Sequence, residues 1–161
     1  MSSRHVRAIA AKLVARLPEI PRPWDVEALC AALAGSRGRS LSLHPVELPG
    51  LPFGMWFDDG AGDHILYRSS AVGYHRDHIV LHEICHLLAG HGTTPAELRS
   101  PTDQEGPTAA GLGPRAACNG TEEELAEAFA TMVLKIAGQQ RPKRVSAVER
   151  RAEELLGVIG A

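Results

Sequence analysis

Residues 79–88 read Ile79-Val80-Leu81-His82-Glu83-Ile84-Cys85-His86-Leu87-Leu88. Apolar residues at Ile79, Leu81, Ile84, Leu87 and Leu88 predict a helix over about 74–90 that buries one side. His82 and His86 stand four apart, on one helical face, so both imidazoles can reach a single ion. Glu83 projects beside that face, where a carboxylate can take a proton from water at the metal. Two imidazole nitrogens suit Zn²⁺, and a catalytic zinc site needs one more protein ligand and an open position. The competing reading is a helix whose histidines are merely solvated or satisfied within the core.

A third ligand has to come from elsewhere in the chain. The metzincin solution, a histidine six residues past the second, fails because that position is Gly92 and His91 is one residue short. A glutamate on a later helix is the other solution. Thr121 and Glu124 form a capping-box pattern that opens a predicted helix over 121–137. In Glu122-Glu123-Glu124-Leu125-Ala126-Glu127-Ala128-Phe129-Ala130, Glu123 and Glu127 share a face. Glu123 is assigned as the third ligand, with Glu124 and Glu127 as alternatives. Glu127 is then placed to accept a hydrogen bond from a ligating histidine. Ala126 and Ala130 are small enough for close packing on the motif helix. Acidic residues in a first turn also complement the helix dipole, which accounts for residues 122–124 but not for Glu127.

Outward from the motif, His64 to Tyr67 and Phe53 to Phe57 flank the turn-rich Asp58-Asp59-Gly60-Ala61-Gly62-Asp63, which predicts a β-hairpin. Leu41 and Leu43 alternate with serines as a short strand before it. At the N-terminus, Val6, Ile9, Leu13 and Leu17 recur at helical spacing over residues 3–17, and Asp25 caps a second helix that runs to Leu33 and ends at Gly35. The two are expected to form a helical hairpin over about 3–36. Residues 91–120 carry no periodicity and read as a long loop. Ser146 with Glu149 opens a C-terminal helix over about 146–158. The fold class that follows is α+β. It is a compact zincin-like domain over 1–161, with a small sheet of one hairpin and one strand packed on the motif helix, the ligand helix and the flanking helices. Its metal-site core spans about 50–138.

A 161-residue chain can bury one hydrophobic core, and a net charge of −2 leaves no strong positive field for nucleic acid. The basic cluster Arg141, Lys143, Arg144, Arg150 and Arg151 is offset by Glu149, Glu153 and Glu154. Three cysteines without a CxxC pair disfavour a disulfide scaffold. With no continuous apolar run for a signal peptide or a bilayer span, the expectation is a cytoplasmic protein without membrane partners.

Other residues near the motif have two readings each. His78 shares the face of His82 and could line the cleft or stabilise an oxyanion. Tyr67 could donate to a tetrahedral intermediate, although a strand tyrosine is more often core. His91, near the helix C-terminus, is favoured there by the dipole alone. Cys85 is either core packing or an oxidisable thiol beside the metal. Residues 63–68 are expected to be an edge strand on which an extended peptide could pair.

The motif His82-Glu83-Ile84-Cys85-His86, with Glu123 through Phe129-Ala130 downstream and Ile65-Leu66-Tyr67 before it, resembles the ImmA/IrrE family of metallopeptidases. The resemblance covers roughly residues 50–138. It implies a gluzincin-like fold, a zinc metalloprotease and cleavage of a helix-turn-helix repressor, which ties the chain to transcription regulation and stress response. Three positions depart from the family pattern. Glu127 stands where Asp or Asn is usual, Cys85 replaces a small residue, and the segment between the two helices is long. Two other classes compete: a non-catalytic binding module on the same fold, and the toxin half of a toxin–antitoxin pair.

Overall fold

The computed structural model describes residues 2–47, 54–91 and 120–139. Helices α1 (Ser3–Val14) and α2 (Val26–Arg37) precede strand β1 (Ser40–Val46). The hairpin β2 (Gly54–Asp58) and β3 (Gly62–Arg68) follows, then α3 (Gly73–Ala89) and α4 (Gly120–Ile136). The architecture is α+β, as the periodicities predict. The predicted loop 91–120, apart from its end residues, and the C-terminal helix lie outside the described residues.

The sheet has the order β1-β3-β2, with β1 parallel and β2 antiparallel to β3. This overturns the expectation that residues 63–68 form an edge. β3 is the central strand, and its backbone groups are paired on both sides. Among the described strands the edges are β1 and β2. Pro45 sits on β1, where a residue with no N–H to give to the ladder is tolerated. The sheet presents Leu41, Leu43, Trp56, Ile65 and Tyr67 to the helical core, while Met55 and Leu66 cluster with Val46 and Phe57 on its other face. Period-two alternation thus separates two apolar groups across one sheet.

The N-terminal helices are not a hairpin closed on itself. α1 packs chiefly on α4, and α2 packs on β1. α1 ends at Val14 rather than at 17, and the N–H groups of Arg16 and Leu17 bond tightly back to Leu13 and Val14 just before Pro18. Asp25 caps α2 as predicted, accepting from the N–H groups of Glu27 and Ala28 at 2.9 and 3.2 Å. The helix passes through Gly35 and stops at Gly38, which takes the left-handed conformation. Glycine inside a helix costs about 1 kcal/mol relative to alanine, too little to end it where burial of Leu29 and Leu33 favours continuation.

α2 is joined to the hairpin by a buried carboxylate. Asp63, 1% exposed, is paired with Arg37 and Arg39 and accepts from Trp56 Nε1 at 3.3 Å. α4 begins at Gly120, so Thr121 lies in the first turn instead of preceding it, and it is not the N-cap that the sequence pattern predicts. Ala126 and Ala130 are fully buried, and α4 packs against both α1 and α3. Among the described residues no helix is long and apolar enough to cross a membrane.

Candidate metal centre

Four rings occupy one stripe of α3 at four-residue spacing: Tyr74, His78, His82 and His86. The opposite side of the helix buries Val80, Ile84 and Leu87 in the core, so the stripe is turned towards α4. There His82 Nε2 stands 3.0 Å from Glu123 Oε2, and His86 Nε2 stands 3.3 Å from Glu123 Oε1. The ligand atoms of His82, His86 and Glu123 all lie within 4.8 Å of one another, a group that could hold a metal ion. Glu123 is the glutamate that the spacing singles out over Glu124 and Glu127.

Hydrogen-bond chemistry tests whether an ion fits. His82 faces carboxylates with both ring nitrogens, Nδ1 lying 3.1 Å from Glu127 Oε1. Carboxylates only accept, and a neutral imidazole has one N–H. With Nδ1–H donating to Glu127, Nε2 either carries a second N–H, as in an imidazolium between two carboxylates, or turns a lone pair towards the Glu123 oxygen, which is repulsive without a shared cation. A divalent ion resolves that arrangement. Glu127 then fixes the tautomer and plane of His82, the arrangement usual around ligating histidines.

His86 is fully buried, and its Nδ1 lies 3.3 Å from Nδ1 of His91. His91 Nε2 in turn points to Glu122 Oε1 at 3.9 Å. This placement was not legible from spacing, because His91 lies beyond the helix. Gly90 takes a φ of 75°, and the backbone N–H of His91 then bonds to His86 O at 2.9 Å, folding the His91 ring back over His86. A side chain other than glycine is strained in that conformation.

Glu83 is 2% exposed and lies on the β2 side of α3. Gly54 makes this possible. A Cβ there would stand 2.6 Å from Ile79 Cγ2, 3.0 Å from Leu66 O and 3.2 Å from Glu83 Cγ. The missing side chain lets the start of β2 close against the motif glutamate. Cys85 is fully buried, and its thiol is pushed up to about 12 by burial, with the Glu123 and Glu83 carboxylates adding to it. It stays protonated at neutral pH and packs in the core, rather than serving as a reactive thiol.

Tyr67 is half-buried and packs against the helical core. His78 Nε2 lies 3.0 Å from Glu127 Oε2, beside the centre instead of among the ligand atoms. A groove of about 540 Å³ runs between α1, the end of α3 and the start of α4, and is lined by Leu13, Arg16, Leu88, His91, Glu122 and Leu125 among others.

No family model, curated protein or solved structure matches the chain. What the site can do is therefore decided by its own geometry.

Proposed function

We propose that this chain is a zinc-dependent endopeptidase acting on a protein partner. The observation that carries the reading is the convergence of His82 and His86 on Glu123, with a buried glutamate, Glu83, adjacent on the same helix. Two nitrogens and a carboxylate form a donor set suited to zinc, with the remaining position left for water or substrate. Zinc in such a site lowers the pKa of a water and polarises a carbonyl. Glu83 is the general base: its carboxylate takes the proton of the attacking water and returns it to the leaving amine. His82 is held by Glu127, and His86 by its contact with His91, so neither ring reorients during the reaction.

The substrate is an extended peptide segment. β2 pairs only with β3 among the described strands, and its first residue closes on Glu83. The open edge of β2 is therefore the strand on which a peptide would align by backbone pairing. A helix-turn-helix repressor as the partner comes from the family resemblance alone.

The test combines metal content and cleavage. The native protein is expected to carry about one zinc per chain, by elemental mass spectrometry. Glu123→Ala should lose the zinc, whereas Glu83→Gln should keep it and lose cleavage by about 10²–10⁴-fold. A Glu83→Gln protein that still cleaves would overturn the mechanism. A native protein that takes up no zinc would overturn the site.

A further inference from the structure

His78 is not needed to complete the ligand set, yet it is built into the same stripe. Glu127 is 60% exposed, and a long exposed glutamate ordinarily samples many rotamers, at a cost in entropy when one is fixed. Here each of its oxygens has its own partner: Oε1 takes His82 Nδ1 at 3.1 Å, and Oε2 takes His78 Nε2 at 3.0 Å. Because a carboxylate only accepts, Nε2 of His78 carries the proton. Nδ1 of His78 is buried with no hydrogen-bond partner among the described residues, as suits a lone pair better than a second N–H. The ring itself is held by stacking on Tyr74, with centroids 6.1 Å apart and planes at 29°.

We infer that His78 is a positioning residue that locks Glu127, and through it His82, in the geometry for binding a metal. The inference rests on the proposed metal site and extends it by one residue. Tyr74, His78, Glu127 and His82 then form one continuous support that ends at the ligand atom, with charge-assisted bonds on both carboxylate oxygens.

The experiment is zinc affinity by competition with a chromophoric chelator, on the full chain and the variants His78→Ala, His78→Gln, Glu127→Ala and His78→Ala/Glu127→Ala. Removing His78 is expected to weaken zinc binding about tenfold, the lower end of what such supporting partners contribute. His78→Gln retains an N–H donor and should recover most of the loss. In the Glu127→Ala background His78→Ala should change nothing further, because its effect passes through that carboxylate. Unchanged affinity in His78→Ala, or a loss that multiplies with that of Glu127→Ala, would overturn the inference. Failure of the metal site itself is distinguishable: the native chain would then bind no zinc, or His86→Ala would bind it as tightly as the native chain.

Discussion

At the scale of single residues, Gly54 and the buried cysteines give sharp expectations. The Cβ of Gly54→Ala would collide with Ile79 Cγ2 at 2.6 Å and crowd the Leu66 carbonyl at 3.0 Å. Overpacking of this kind costs about 1–3 kcal/mol, here by prising β2 from α3. Denaturant melts should show that loss, and should show it reduced in Gly54→Ala/Ile79→Ala relative to the sum of the single variants. Full additivity would place the clash elsewhere. Burial pushes both the Cys30 and the Cys85 thiols up to about 12 from 9.0. The folded chain holds these protons between pH 9 and 12, where the unfolded chain releases them. Their contribution to stability is therefore complete below about pH 9 and is lost as pH rises towards 12. In a Cys118→Ser protein, a thiol reagent at about pH 8 should label neither cysteine until denaturant is added. Rapid labelling of the native protein would contradict their burial.

At the scale of elements, the hairpin and its anchor carry the predictions. Asp59 closes the β2–β3 turn, accepting from the N–H groups of Ala61 and Gly62 at 2.8 and 2.7 Å, while His64 Nε2 approaches its other oxygen at 2.7 Å. These bonds, the Ala61 N–H foremost, hold its carboxyl at about 2, below the usual 3.8. A depressed carboxylate favours the fold above about pH 4, and that contribution fades as pH falls towards 2. NMR titration of the Asp59 carboxyl should return a midpoint near 2, and Asp59→Ala should lower the Tm more at neutral pH than at pH 2. Asp63 matters more, because its charge is buried. Asp63→Ala removes the buried partner of Arg37, while Arg39 keeps Asp58 at 2.6 Å, and is expected to cost about 1.5–3 kcal/mol in chemical denaturation. A loss below 1 kcal/mol would mean that this pairing does not hold α2 to the sheet. The turn was legible in the Asp-Gly-rich run, because such residues bond to their own backbone. The partners of Asp63 were not, since they come from a helix end and a neighbouring strand.

At the scale of the whole molecule, the candidate metal centre draws on two helices, with His82 and Glu123 41 residues apart. An ion held by both binds the folded state alone, so it stabilises the fold by mass action: about 4 kcal/mol when free zinc exceeds its Kd a thousandfold. Chelation should lower the Tm of the native protein and leave that of Glu123→Ala unchanged. An equal fall in both would place the metal elsewhere. The sequence by itself determined the motif helix, the hairpin, the Asp25 cap and the pairing of His82 and His86 with Glu123. Each of these is written in local spacing: period 3.6, period 2, or chemistry within a few residues. Tertiary structure decided what local spacing does not encode. β3 is central because β1 adds to it in parallel across an intervening strand. α1 packs chiefly on α4 rather than on α2, a pairing of distant segments that neither helix's own periodicity specifies. His78 and His91 gain their partners only when α4 docks and Gly90 turns the chain back. Which surfaces meet is settled by the burial of whole faces, a property of the assembled core and not of any one segment.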